Sequence, residues 1–395
     1  MPLRHTYDGR EMSRRKHRAF RSAVRTLIIA SGGIILLPLL SSCTGGTPAL
    51  RDARLQGESP SPPPYSLVFV INGDGDYVYH DTNGIACEAD EKALDAAKRI
   101  AERNPGAEVF IFHQMPEEHV LFFFPLPDAE FFCYRNGRLI AHESYRRDRS
   151  RSPFSPELDL YRRFSANNLR PAARVFVYCG HEISEARGGD DGRSRPDRIC
   201  AVHDLAEGAR GFAGDSARFD IAILSTCFGG TPFTIGALSA SARYIVASPD
   251  NLHLSYFDLH PLERLDVGLR DGDVAAFARR FARRSFDRLA GEVETAVSVA
   301  VYDADSVRGY VRSVRAWYDS TLAVLGAGGD LSAGNAERCD CADIPPYVLP
   351  SMPRGVEVFF RAAHFGRGRR KTGHSGWECW REKVPRDSLR SSPGS

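Results

Sequence analysis

His181 and Cys227 are the two residues whose types and surroundings could do covalent chemistry together. Each follows a short apolar run. Residues 174–178 (RVFVY) lead into Cys179-Gly180-His181-Glu182, and residues 219–224 (FDIAIL) lead into Ser225-Thr226-Cys227-Phe228-Gly229-Gly230. A thiolate is a strong nucleophile, and a neighbouring imidazole raises its population by taking the thiol proton. Glycines beside both residues let peptide N–H groups approach a carbonyl and hold the oxyanion that forms during acyl transfer. One helical crossover separates the two runs. Adjacent parallel strands about 4.8 Å apart would therefore bring ring and sulfur to one rim of a sheet. In open α/β sheets that rim, beyond the carboxyl ends of the strands, is where ligands bind.

Other residues compete for attention. Cys179 also ends a strand, but no Gly-Gly follows it, and a buried packing role suits it better. Asn72-Gly73-Asp74-Gly75-Asp76 alternates oxygen-bearing side chains with glycine. It reads first as a turn and second as a calcium site through Asp74 and Asp76, although the distal bidentate glutamate of a calcium loop is missing. His181-Glu182 does not begin a zinc-protease motif, because Glu185 stands where the second histidine belongs. His203, His253 and His260 read as helix or loop residues. Nine cysteines are too few for a disulfide scaffold, and their pairing is left open.

The elements that must position the pair come from the apolar pattern. Residues 66–72 (SLVFVIN) read as a buried strand. A helix follows at 88–103, with Ala93, Ala97, Ile100 and Ala101 on one face, and then a strand at 108–113. Residues 119–124 and 131–145 look antiparallel, and Asn136-Gly137 marks a tight hairpin. Helices at 156–166, 201–213, 231–241, 274–289 and 306–325 and strands at 243–247 and 295–302 complete the series. Strands alternating with helices predict an α/β sandwich of three layers, a mostly parallel sheet with helices on both faces.

The chain has 395 residues, 43% hydrophobic and 26% charged, which is globular composition. Its formal charge of +2 is misleading. The first 25 residues hold eight Lys or Arg against two Asp or Glu, and the chain beyond residue 42 has 44 basic and 48 acidic side chains. A nucleic-acid partner therefore has no basic surface to support it. Residues 27–40 form an uncharged apolar run after the basic stretch, too short to span a bilayer comfortably but suited to a signal-peptide core. It ends in Leu40-Ser41-Ser42-Cys43. This resembles a bacterial lipobox, which implies lipidation of Cys43, removal of the leader, and a membrane-anchored, extracytoplasmic location. Residues 44–64, with four prolines from Pro60 to Pro64, then read as a tether. A folded domain is expected over 65–345. Residues 346–395 form a basic C-terminal extension whose end, after His364, reads as solvated.

The order of these motifs also resembles the clostripain family of the caspase–gingipain clan. Gly180-His181 follows one apolar strand, and Cys227 follows another 46 residues later. The segment from His203-Asp204-Leu205-Ala206-Glu207 through Phe219-Asp220-Ile221-Ala222-Ile223 is similar to the family's helix and strand leading to its cysteine. RYIVASPD at 243–250 resembles its following strand. AVSVAVYDADSV at 296–307 and Cys341-Ala342-Asp343-Ile344 resemble its later elements. The resemblance implies a caspase-like sandwich and a cysteine endopeptidase acting on peptide or protein substrates without a required cofactor. His181 would be the catalytic base and Cys227 the nucleophile. The N–H groups at Cys227 and at Gly180 or Glu182 would hold the oxyanion.

Two positions depart from the family pattern. Glu182 replaces the usual glycine after the histidine, and Ser225 stands where an acid often helps form a pocket for a basic side chain. Asp250 and Asp258 could supply that negative charge, so cleavage after Arg or Lys is the expectation. Residues 182–198 hold Arg187, Arg193, Arg195 and Arg198, and read equally as a surface loop or as a self-processing site. Glu182 and Ser225 also keep a second reading open, a non-enzymatic relative that binds peptide or a protein partner at the envelope.

Overall fold

The computed structural model of the chain describes residues 64–73, 78–80, 86–116, 119–120, 124–147, 154–165, 171, 173–181, 183, 201–214, 217–252, 257–269, 273–309, 311–312, 354–374 and 376. The chain divides into two compact units, residues 1–60 and 61–395, and all described residues belong to the second. Cys43 with its leader, Asp74, Asp76, Glu182, Cys341 and the four loop arginines lie outside the described residues.

The core is a nine-stranded sheet. In chain order its strands are β1 (Tyr65–Asn72), β2 (Ala107–Gln114), β3 (Ala129–Arg135), β4 (Arg138–Tyr145) and β5 (Ala173–Cys179). They continue with β6 (Phe219–Ser225), β7 (Ala242–Ala247), β8 (Val297–Asp303) and β9 (Val356–Arg361). Their spatial order is β9-β8-β7-β6-β5-β1-β2-β3-β4. The five central strands, β7-β6-β5-β1-β2, are mutually parallel. Each edge is closed by an antiparallel pair. The chain steps from β1 outward to β2 on one side and later returns to β5 on the other, so the sheet reverses direction between β1 and β5. Such a reversal opens a crevice at the carboxyl ends, where ligands of doubly wound sheets bind.

Helices cover both faces. Leu67, Phe69 and Ile71 of β1 point to one side with α1 (Ala89–Arg103) and α5 (Val274–Glu292). Val68 and Val70 point to the other side with α2 (Ser155–Phe164), α3 (Val202–Ala213) and α4 (Pro232–Leu238). A helical run at 304–309 adds Val307 to that second layer. Every residue from Leu67 to Ile71 has 0% exposure, as a central strand sandwiched between helix layers requires. Burying each such side chain contributes about 1.5–3 kcal/mol. This is the three-layer sandwich of the caspase-like reading, with its parallel strands confined to the centre of the sheet.

Local signals set the boundaries. α1 stops at Asn104, whose side-chain amide donates to Ile100 O and Leu262 O, both at 2.8 Å, while its Oδ1 accepts from Leu265 N at 3.0 Å. One side chain thus ends a helix and pins the segment 260–268 against it. Asn136 and Gly137 have φ of 54° and 70°, the left-handed pair of a two-residue hairpin. A Cβ on Gly137 would also lie 2.9 Å from Glu102 O. α4 is shorter than the 231–241 span expected from its pattern, because Ser239–Ser241 turn the chain into β7.

The sheet also runs past residue 345. β9 pairs antiparallel with β8, and beyond it Lys371 and His374 are 4% and 6% exposed despite the basic composition of this stretch. The Lys371 Nζ lies 5.5 Å from the centre of the Phe360 ring, a cation–π contact that offsets part of its desolvation.

Candidate active site

The register of β5 against β6 sets the geometry. Cys179 is the partner of Ser225, so His181 and Cys227 each stand two residues beyond a paired position, on the same carboxyl rim. The ladder extends one step further, with Gly180 N donating to Ser225 O at 3.3 Å. Thr226 then donates its hydroxyl to His181 O and locks the two strand exits together. His181 is exposed and Cys227 half-buried, as a base and a nucleophile open to substrate need to be. Ile71 of β1 pairs with Cys179 on the other flank of β5, so His181 borders the crevice where the sheet reverses.

The thiol of Cys227 is held on its far side. Its Sγ donates to Asn251 Oδ1 at 2.9 Å, and Asn251 lies just beyond the end of β7. The loop after the cysteine is tight. Phe228 adopts φ of 51°, its N donates to Asp250 O at 3.0 Å, and Gly230 N donates to Ser248 O at 2.9 Å. A Cβ on Gly230 would lie 2.9 Å from Pro249 Cα, so only glycine lets these segments approach. Of the N–H groups near the sulfur, those of Gly180, Phe228 and Gly230 are therefore spent on protein carbonyls.

The remaining sequence candidates have definite places. Ser225 is fully buried and its Oγ accepts from Phe257 N at 2.7 Å, so it faces the interior. Cys179 is also fully buried. Burial pushes its thiol up to about 12, with the Ser225 hydroxyl acting weakly in the opposite direction. A thiol so placed is inert at neutral pH. Asp258 is engaged with Arg284 Nε at 3.1 Å and with His260 N at 3.1 Å. Its carboxylate is not directed toward Cys227 by any of these bonds.

Asp250 sits in a polar cluster behind the loop. Its carboxylate accepts from Ser298 Oγ at 2.8 Å and from His374 Nε2 at 3.2 Å. Gly376 N donates to His374 Nδ1 at 2.9 Å, which leaves the proton on Nε2 and fixes that tautomer. Burial alone would raise the Asp250 carboxyl. The His374 ring, the Lys371 charge and the Ser298 hydroxyl outweigh it and hold that carboxyl well below the usual carboxylate range. The Tyr302 hydroxyl lies 3.3 Å from Gly230 O and also meets Gly376 O, joining the loop after Cys227 to the C-terminal segment.

Three residues of this site escaped the sequence pattern. Thr226 was visible beside Cys227 but had no motif of its own. Asn251 follows Asp250 in the stretch after 243–247, and a lone neutral amide there carries no motif. His374 reaches Asp250 across 124 residues, a pairing with no local signal. Among the described residues no three His, Cys, Asp or Glu side chains converge to hold a metal ion.

No protein-family model matches the chain, and no curated protein sequence matches it. Similar solved structures include an inactive zymogen of a C11 protease from Parabacteroides distasonis, 13% identical with a TM-score of 0.42, the match covering 68% of this chain and 66% of that one. Another is a secreted C11 cysteine protease from Bacteroides thetaiotaomicron in complex with an irreversible peptide inhibitor, 12% identical with a TM-score of 0.43, covering 62% of this chain and 67% of that one. The matches thus span about two thirds of the length of these two solved structures.

Proposed function

We propose that this protein is a cysteine endopeptidase with a His181/Cys227 dyad, held at the bacterial cell envelope by a lipid on Cys43. The observation that carries the reading is the β5/β6 register, which delivers an exposed imidazole-bearing residue and a half-buried thiol to one rim. A peptide carbonyl entering there meets the sulfur. The S–H proton passes to His181, the sulfur bonds to the carbonyl carbon, and the carbonyl electrons move onto oxygen. Cys227 N–H is the oxyanion donor in this scheme, and the family resemblance implies Glu182 N–H as a second. Collapse of the tetrahedral species expels the amine, which takes the proton from His181. Water then hydrolyses the thioester.

Cleavage after Arg or Lys depends on a carboxylate turning to the substrate. Asp250 and Asp258 are both engaged with other side chains, so such a preference requires one of those bonds to open. Hydrolysis of Arg, Lys, Asp and Leu peptides tests the reading directly. The dyad predicts turnover that Cys227→Ala abolishes. Basic specificity predicts Arg and Lys peptides ahead of the other two. Failure to hydrolyse any of them, together with tight peptide binding, would favour the non-enzymatic reading.

A further inference from the structure

The strands β5, β6 and β7 are neighbours and parallel, and beyond their carboxyl ends stand His181, Cys227 and Asn251. Because β6 is the middle strand, the segments that carry His181 and Asn251 flank the one that carries Cys227. Asn251 is exposed, hence within reach of a bound substrate, yet its Oδ1 is only 2.9 Å from Cys227 Sγ.

Its backbone is held on both sides. Asp250, before it, accepts from Phe228 N and from the Ser248 hydroxyl through its carbonyl, and anchors its carboxylate on Ser298 and His374. Leu252, after it, is 5% exposed and packs in the core. An amide so fixed is part of the site rather than a passing surface contact.

We propose that Asn251 is a third catalytic residue, acting on the Cys227 sulfur. The proposal rests on the peptidase reading above and deepens it. An amide oxygen accepts a hydrogen bond from a neutral thiol but has nothing to offer a thiolate, so it favours the protonated nucleophile at rest. When His181 takes the proton, the S–H bond breaks and its electron pair stays on sulfur. The proton forms a new N–H bond on the ring, and Asn251 keeps all its atoms. Oδ1 and the thiolate then repel, and the sulfur leaves the β7 side for the substrate carbonyl. Among the described residues, the titratable and charged groups on the segments packed here are His181 beyond β5, Asp250 with His374 and Lys371 behind it, and Asp258 with Arg284 on the segment bonded to Ser225.

The test is the rate of Cys227 alkylation by iodoacetamide as a function of pH on the full chain, read by peptide mass spectrometry. It is set beside kcat and KM on a peptide substrate. Asn251→Ala removes the acceptor of the thiol proton, so the alkylation midpoint falls by about half to one pH unit. Asn251→Asp puts a carboxylate beside the sulfur, so the midpoint rises. Asn251→Asp loses about tenfold or more in kcat, with KM within about twofold, because its carboxylate keeps the sulfur protonated without touching the substrate's site. A wild-type thermal transition shows that the fold persists.

Midpoints unchanged in both variants, or moved in the same direction, overturn the Asn251 role while leaving the dyad intact. A wild-type protein that shows no hydrolysis and no preference for Cys227 over Cys133 and Cys179 overturns the peptidase reading itself. The opposite shifts in the two variants would then still stand as evidence for the amide–thiol contact.

Discussion

Replacing Asp250 with Asn is expected to loosen the whole rear wall of the site. The wild-type carboxylate accepts two hydrogen bonds, from Ser298 Oγ at 2.8 Å and from His374 Nε2 at 3.2 Å, in a place where the His374 side chain has 0% exposure. Asn keeps one oxygen, so one bond survives, while its NH2 group confronts the other donor. The lost charge-assisted bond costs about 1.5–3 kcal/mol, and the buried donor left without an acceptor about 1–3 kcal/mol more. The sum is about 2.5–6 kcal/mol. At about 2 °C per kcal/mol for a domain of this size, Tm falls by about 5–12 °C.

The pH dependence has a definite sign. The Asp250 carboxyl lies below its unfolded value of about 3.9, so its stabilisation is complete above that pH and is lost as pH falls toward the folded value. The gap between wild type and Asp250→Asn is therefore widest near pH 7 and shrinks below about pH 4. Urea unfolding at pH 7 and pH 3 measures both. A gap under about 1 kcal/mol at pH 7, or one of equal size at both pH values, would refute the reasoning.

Other expectations follow from single contacts. Gly137→Ala forces a Cβ against Glu102 O at positive φ and lowers stability by about 1–2 kcal/mol, read by urea midpoint, with peptide turnover unchanged. Tyr302→Phe removes the hydroxyl that joins Gly230 O to Gly376 O and costs about 1–2 kcal/mol. It should also increase proteolytic nicking of the C-terminal segment, seen on a timed trypsin digest. Cys179, its thiol raised to about 12, stays unlabelled by iodoacetamide at pH 7, whereas Cys227 reacts; mass spectrometry of labelled peptides checks this.

The layers were legible because central strands advertise themselves. SLVFVIN and FDIAIL are apolar on both faces, which only a strand covered by helices from both sides can use. The Asn-Gly hairpin was legible for its backbone alone. The His181 and Cys227 rim followed from reading what comes after each strand. Support for the rim was hidden, because His374 meets Asp250 and Tyr302 meets Gly376 through tertiary contacts between segments distant in sequence. β9 was hidden as well. VEVFFR is short, lies far from its partner β8 in the chain, and stands before a basic stretch whose charge suggested solvent. Asp250 illustrates a different difficulty. Sequence shows that a carboxylate follows β7, but which groups occupy it is decided by side chains arriving from β8 and from the C-terminal segment.

The most direct measurement is labelling of the full chain with a substrate-like, thiol-reactive peptidyl ketone, comparing wild type with His181→Ala. The account predicts a single adduct on Cys227 in wild type and at least a hundredfold slower labelling once the imidazole is gone, the contribution expected of a positioned base. Equal labelling rates in the two proteins, or an adduct on Cys133 or Cys179 instead, would contradict it.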